Sequence, residues 1–234
     1  MHEVMLFSNN QLRNRILDCL LKEAYLEEYS ISRRDNSLYK KDGLGWFRIS
    51  IANSWSSVDL DRDSQFCLCI TPGYSRRFDV LHKWFEPFAK NPIKEERKSA
   101  SVMMGYKSGK GYFDFLRSGN GFEIDFKKLN DTIYQESIPF FTNNLTLDDY
   151  YQTVVLPGIQ GRKELRKDTV FWTFQWLMAT RIVAQESYAI TKEILTDYLY
   201  NSPFPISIIF MSNYEKSYPA IINALETYDY KKDL

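Results

Sequence analysis

The spacing of apolar residues changes about halfway along this chain of 234 residues. Up to residue 126, apolar and polar residues alternate in several short runs, a pattern typical of half-buried β-strands. From residue 130 onward, apolar residues recur every three or four positions, as in amphipathic helices. The sequence therefore predicts an α+β protein with an N-terminal helix, an antiparallel sheet of about five or six strands and a helical C-terminal half.

The predicted strands lie between turn signals rich in glycine. Their approximate ranges are 37–41, 46–52, 65–70, 102–106, 112–116 and 121–126. The clearest alternation is in the last run, where Phe122, Ile124 and Phe126 are predicted to point inward. Residues 56–64 are predicted to form a loop, and Ser75 to cap a helix that runs to about residue 88.

The glycine-rich stretch from Gly105 to Gly111 is interpreted as a hairpin connection. A phosphate-binding loop would need four residues before Gly-Lys and a hydroxyl residue after the lysine. Here three residues precede Gly109-Lys110, and Gly111 follows them. We therefore expect a turn between two strands and no phosphate site.

Helical patterns begin and end the chain. Residues 11–29 predict a first helix capped by Asn9 or Asn10, and Thr146 begins a capping sequence. Pro157-Gly158 is expected to end the helix that follows. Residues 165–200 predict a helix pair with a break near 185–187, or else one continuous helix. This segment has the size of helical-repeat pairs, without a second copy of any motif. We predict an α+β domain over 1–145 and a helical subdomain packed on it over 146–234.

Cys67 and Cys69 form a C-x-C motif within the predicted strand 65–70. Side chains alternate along a strand, so both thiols are expected on one face of it. A disulfide between residues i and i+2 of an extended strand would be strained, and a zinc site would need two further ligands. The remaining cysteine and the two histidines form no recognised pattern with them. We therefore predict two packed thiols on an inner strand, with no metal and no cofactor.

The charge balance gives no sign of a nucleic-acid or membrane partner. The chain has 30 basic and 30 acidic residues, so its formal net charge is zero. No run approaches the ~18 apolar residues of a membrane span, and the N-terminus does not resemble a signal peptide. We expect a cytoplasmic location, and the neutral charge leaves self-association open.

Residues suited to catalysis are few. Only two histidines occur, His2 and His82. The acidic residues Asp59, Asp61 and Asp63 alternate as at the start of a calcium loop, but the expected glycine and distal glutamate are missing. The sequence therefore predicts a solvated acidic loop and no catalytic residue.

Aromatic residues make up 16% of the chain, and some fall on the polar side of predicted strands. Tryptophan, tyrosine and arginine are the residue types that most often anchor protein interfaces. The candidate binding residues are Trp46, Arg48, Trp55, Tyr106 and Tyr112. Each is also compatible with a place in the core.

Several segments resemble a family of uncharacterised bacterial α+β domains that has been linked to polymorphic-toxin immunity proteins. They include GWFRISIANSW, QFCLCITPG, FEIDF and ESIPFFTNNLT, within roughly residues 10–150. The resemblance implies a helix, an antiparallel sheet and then helices, and it brings no catalytic residues. We expect a bacterial, non-catalytic module that binds an unidentified protein, with an immunity-type inhibitor as one form. The alternative is a hydrolase-like enzyme with a cleft between sheet and helices.

Overall fold

A computed structural model describes residues 6–59, 65–88, 100–105, 112–161, 170–201 and 206–234. It confirms the α+β class, with an N-terminal helix, two antiparallel sheets and a helical C-terminal half. The five-stranded sheet has the order β1 (Ser30–Ser32), β2 (Ser37–Asp42), β3 (Gly45–Ser50), β6 (Gly73–Phe78) and β7 (Val102–Gly105). The three-stranded sheet has the order β4 (Ser54–Asp59), β5 (Gln65–Ile70) and β8 (Phe113–Leu116).

The described residues also form α-helices of between one and six turns. They are α1 (Asn9–Leu20), α2 (Val80–Lys83), α3 (Phe122–Thr142), α4 (Leu147–Tyr150), α5 (Leu156–Gly161), α6 (Val170–Val183), α7 (Tyr188–Asn201), α8 (Ile206–Asn213) and α9 (Tyr218–Thr227). A π-helical turn, Tyr151–Val155, joins α4 to α5. None of the described helices is both long enough and apolar enough to cross a membrane.

The chain divides into two compact units. The first contains Met1–Asp42, Trp46–Arg76 and Met103–Thr142. The second contains Gly43–Gly45, Arg77–Val102 and Asn143–Leu234. The second unit thus combines the C-terminal helices with two earlier pieces of chain, whereas the domain boundary at 145/146 stays a prediction from sequence.

Helix α1 is shorter than predicted, and its cap is a different residue. The Ser8 hydroxyl accepts a hydrogen bond from the Gln11 N–H (3.3 Å), and the Gln11 side chain accepts one from the Ser8 N–H (2.8 Å). This capping box satisfies two backbone donors that would otherwise lack partners. Leu12, Ile16 and Leu20 are buried, and their spacing of four residues places them on one face of the helix, whereas Cys19 is only half-buried.

Two segments predicted to be loop or helix are strands. Residues 54–59 form β4, and residues 73–78 form β6, where Ser75 is an interior strand residue and not a helix cap. The sequence of β4, Ser-Trp-Ser-Ser-Val-Asp, is too polar to give a strand signal on its own. It is a strand because β5 pairs with it over its whole length, from Ser54 opposite Ile70 to Asp59 opposite Gln65.

The strand predicted over 121–126 is wrong, because this segment begins α3. Gly119 and Gly121 adopt positive φ angles of 79° and 71°, a turn that glycine makes without strain and that leads into the helix. Phe122 and Phe126 lie four residues apart and stack with ring centroids 6.0 Å apart, while Ile124 is 65% exposed. Residues four positions apart lie on the same face in a strand and also in a helix. Six residues are therefore too few for the alternation to distinguish a strand from a helix.

The predicted capping sequence at Thr146 is confirmed. The Thr146 hydroxyl accepts from the Asp149 N–H (3.1 Å), and the Asp149 carboxylate accepts from the Thr146 N–H (2.8 Å). Pro157 and Gly158, however, do not end this helical stretch and lie inside α5. A Cβ atom added to Gly158 would lie 2.1 Å from the Trp176 ring, so this glycine allows close packing within the second unit.

The break predicted near 185–187 is confirmed, and the structure reveals a repeat that the sequence analysis did not find. A 3₁₀ turn, Gln185–Ser187, separates α6 from α7. A second 3₁₀ turn, Glu215–Ser217, lies 30 residues further along the chain and separates α8 from α9. Each turn ends in Ser-Tyr, at Ser187-Tyr188 and at Ser217-Tyr218. Buried residues then follow at matching positions, Thr191 and Leu195 in α7 and Ile221 and Leu225 in α9.

Arg181, in the last turn of α6, holds the end of α9. Its guanidinium donates hydrogen bonds to the carbonyl oxygens of Leu225 (2.7 Å), Glu226 (2.7 Å) and Tyr228 (3.0 Å). Leu225 and Glu226 belong to the final turn of α9, and Tyr228 follows that helix directly. A positive charge at this end also interacts favourably with the helix dipole. Arg181 therefore ties the two helix pairs together.

Candidate functional site

One face of the three-stranded sheet carries two cysteines, an aspartate and a tryptophan. Trp55 of β4 lies opposite Cys69 of β5, which in turn lies opposite Asp114 of β8. Cys67 lies opposite Leu116 in the next row on the same face. Residues two apart on a strand share a face, so these side chains line what we call the cysteine face.

Helix α1 contacts the opposite face of this sheet. The Arg13 Nε donates a hydrogen bond to Ser54 Oγ (2.9 Å), and the Asn9 amide donates one to Ser56 Oγ (2.7 Å). Both serines alternate with Trp55 along β4. The cysteine face is therefore the side of the sheet turned away from α1.

The two thiols and one carboxylate form a compact group on this face. The Cys67 and Cys69 Sγ atoms are 3.8 Å apart, and Asp114 Oδ1 lies 3.0 Å from Cys69 Sγ and 3.6 Å from Cys67 Sγ. Both cysteines are buried and Asp114 is half-buried. The predicted position of both cysteines on one face of an inner strand is confirmed, whereas Asp114 was not among the predicted residues.

Burial is the main cause that raises the pKa of both thiols above the usual value. For Cys69, the hydrogen bond to Asp114 and the charge of that carboxylate raise the pKa further. For Cys67, a hydrogen bond with Cys69 partly offsets the effect of burial, and the charges of Asp114 and Asp59 add to it. At neutral pH both thiols are therefore protonated, and each can donate a hydrogen bond to Asp114.

An aromatic pair stands at the edge of the cysteine face. Trp55 and Tyr112 meet edge to face, with ring centroids 5.4 Å apart and an interplanar angle of 70°. Trp55 is 42% exposed and Tyr112 is 38% exposed. The structure thus brings together two of the predicted binding residues, which lie 57 positions apart in the sequence.

Trp46 and Arg48 belong to a different group, on the five-stranded sheet. Both alternate with buried residues along β3, as predicted, and both are half-buried. The Trp46 ring meets Tyr39 of β2 edge to face, and the Arg48 guanidinium lies 5.7 Å from the centre of the Tyr39 ring. Arg48 also donates hydrogen bonds to Ser37 and Ser50, so its side chain is held in place.

Three sequence predictions fall wholly or partly on residues outside the described ranges. Tyr106, Asp61 and Asp63 lie there, whereas Asp59 is the last residue of β4. The strands that flank 106–111, β7 and β8, lie in different sheets. The hairpin predicted between them is therefore wrong.

His82 lies in the second unit within a buried polar cluster. Its Nε2 is 3.0 Å from Ser101 Oγ and 3.3 Å from the amide nitrogen of Gln175, and all three residues are buried. The Ser101 hydroxyl also accepts a hydrogen bond from the Phe78 N–H (3.0 Å). Because solvent does not reach His82, this cluster joins a strand, α2 and α6 by polar contacts and does not offer a base to a substrate.

This histidine makes a testable contribution to pH stability. Burial, and secondarily the charge of Arg77, hold the pKa of His82 well below its usual value. The unfolded chain then binds a proton at about pH 6.5 that the folded chain does not bind, so folding is progressively penalised as pH falls below that value. We expect His82 to lower the free energy of unfolding by at most about 1.4 kcal/mol for each pH unit below about 6.5.

The test compares the native chain with His82→Gln in urea unfolding at pH 7.5 and pH 5.5. The variant should lose less stability between the two values, since carboxylates and His2 contribute equally to both proteins. Equal losses in the two proteins would show that His82 does not cause the acid dependence.

The fold and this face together define an α+β protein with an exposed aromatic pair beside a buried group of two thiols and a carboxylate. No family model, no curated protein and no solved structure matches the chain.

Proposed function

We propose that this chain is a non-catalytic protein-interaction module whose binding surface is centred on Trp55 and Tyr112. The observation that supports this most is that both rings are more than one-third exposed while they pack against each other. Tryptophan and tyrosine provide a large contact area for their size and are enriched in protein interfaces. An exposed tryptophan held by a tyrosine is therefore suited to anchor a partner.

The environment of the pair favours binding at low entropic cost. Trp55 projects from a strand that is paired with β5 at every residue, so its backbone is fixed before any partner arrives. The edge-to-face contact with Tyr112 restricts both rings. Side chains that are already ordered lose little rotational freedom when they bind, which leaves more of the contact energy for affinity.

The particular form we propose is an immunity-type inhibitor in the bacterial cytoplasm. Support comes from the resemblance noted in the sequence and from the buried position of His82. An inhibitor acts by covering its target, so it needs complementary surface and no reactive side chain. With a formal net charge of zero, the chain has no overall field to attract a partner, and the affinity must arise in the desolvated centre of the contact.

Replacing Trp55 or Tyr112 with alanine should weaken binding of the partner by about 2 kcal/mol or more, roughly 30-fold. The partner is first captured with the tagged native chain from its source cells and identified. Calorimetric titration then compares the dissociation constants of the native chain and the two variants.

Phe66→Ala is the matched control, because Phe66 is an aromatic residue that is even more exposed, at 58%, but lies on the α1 side of β5. Its binding should equal that of the native chain. Trp46→Ala tests whether the separate aromatic group of Trp46 and Tyr39, on the five-stranded sheet, contributes to binding. If Trp55→Ala and Tyr112→Ala bind as tightly as Phe66→Ala, the proposed surface is wrong.

A further inference from the structure

We propose that Cys67, Cys69 and Asp114 form a binding site for a thiophilic divalent metal ion, with Zn²⁺ as the ion of choice. This site is independent of the protein-binding surface proposed above. It requires three side chains from two strands, and the register of β5 and β8 places all three on the cysteine face. Among the described residues, they are the group whose ligand atoms lie close enough together to share one ion.

The distances agree with tetrahedral zinc. Two thiolates bound at about 2.3 Å with a tetrahedral angle lie about 3.8 Å apart. The Cys67 and Cys69 sulfur atoms are 3.8 Å apart in the structure. A C-x-C motif on a strand therefore has the correct sulfur separation when both rotamers point to the same side.

The carboxylate completes a triangle of ligand atoms. Its sides are 3.8, 3.6 and 3.0 Å, so a point about 2.3 Å from both sulfur atoms and about 2.1 Å from the oxygen lies about 1 Å outside their plane. An ion at that point would have three protein ligands and one open position for water or another ligand. This is the coordination typical of zinc sites with an exchangeable ligand.

The charge balance also favours a divalent ion. Without metal, the group consists of two neutral thiols and one carboxylate, with a charge of −1. When M²⁺ binds, both thiol protons leave to solvent and two thiolates form, so the charge of the group remains −1. The buried sulfur atoms are thus not left with uncompensated charge, which would be costly in this environment.

The ligand types select among metals. Thiolates prefer zinc, cadmium and similar ions, whereas magnesium and calcium prefer oxygen ligands and higher coordination numbers. A site with two sulfurs and one oxygen should therefore bind Zn²⁺ or Cd²⁺ and should not be occupied by Mg²⁺. The sequence pattern predicted no metal here, because cysteine and histidine were the only further ligands expected and the third ligand is an aspartate.

The test uses the full chain, reduced and treated with chelator, and titrated with Zn²⁺ alone and with Co²⁺ alone. We expect one Zn²⁺ per chain, unaffected by excess Mg²⁺, and a near-ultraviolet absorption band from cobalt–thiolate bonds. Loss of a residue that only contacts a metal ligand typically weakens metal binding tenfold to hundredfold. Cys67 and Cys69 would bind the ion directly, so Cys67→Ser and Cys69→Ser should each weaken Zn²⁺ binding by more than this. Asp114→Asn should weaken it by at least tenfold.

Cys19→Ser is the matched control, since Cys19 is the remaining cysteine and lies on α1, away from the cysteine face. It should bind Zn²⁺ like the native chain. The cobalt spectrum is recorded on the native chain, so it tests for thiolate ligands even if the serine variants do not fold. The absence of a cobalt–thiolate band, or Zn²⁺ binding that survives loss of both Cys67 and Cys69, would overturn the proposal.

Discussion

Replacing Gly158 with alanine should lower the free energy of unfolding by about 3 kcal/mol. The new methyl group would lie 2.1 Å from Cη2 and 2.6 Å from Cζ3 of Trp176, far inside van der Waals contact. Trp176 is buried in the core of the second unit, where close packing opposes movement of a large, rigid ring. The loss should be measured by urea unfolding monitored by far-ultraviolet circular dichroism.

Gly161→Ala is the control for this prediction. Gly161 belongs to the same helix, α5, and no atom of the described residues lies within 4 Å of a Cβ added there. Alanine there should be neutral or stabilising by up to about 1 kcal/mol, because it favours the helix. In a Trp176→Phe background the smaller ring leaves room for the methyl group, so Gly158→Ala should cost clearly less. An equal cost in both backgrounds would show that the contact with Trp176 is not the cause.

Replacing Asp42 with alanine should cost about 3 kcal/mol, because it removes the carboxylate that faces a fully buried arginine. Asp42 Oδ2 accepts a hydrogen bond from Arg76 Nη2 at 2.8 Å, and the Arg76 side chain has no exposed surface. The Arg76 guanidinium also lies 4.1 Å from the centre of the Phe47 ring, which stabilises the cation without replacing an anion. Removing this carboxylate is costly because the Arg76 charge loses an anion at 2.8 Å while its side chain stays shielded from water.

The reverse change should be less costly. Arg76→Met removes one cation from beside Asp42, but the Asp42 side chain is 28% exposed and water can solvate it. Asp18→Ala, which removes the exposed ion pair with Arg33, should cost less than about 1 kcal/mol. Urea unfolding of the three variants checks this order. A larger loss for Arg76→Met than for Asp42→Ala would show that packing of the long side chain outweighs its charge.

Local sequence signals predicted those elements that depend on neighbouring residues. The capping box at Thr146 and Asp149 could be predicted because its atoms belong to residues three apart. The break at 185–187 could be predicted because the apolar period is interrupted there. By contrast, β4 has no strand signal of its own and exists through its pairing with β5, which a single sequence does not reveal.

The candidate site was predictable only in part, for the same reason. Trp55 and Tyr112 could be identified by residue type, and the two cysteines could be placed on one face by strand alternation. That Trp55 meets Tyr112, and that Asp114 lies opposite Cys69, depends on the register of three strands from distant parts of the chain. The sequence between β7 and β8 predicted a hairpin, which would have given a different set of neighbours for β8.

The repeated helix pairs of the second unit imply that backbone amides in neighbouring helices exchange with solvent at different rates. Helix α6 is buried along almost its whole length, whereas α8 exposes Ile208, Ile209 and Met211. Helix α9 is fastened at its end by Arg181, so its opening requires the loss of three hydrogen bonds to α6. Helix α8 can therefore open locally while α9 stays attached, and the innermost helix is the last to lose amide protection.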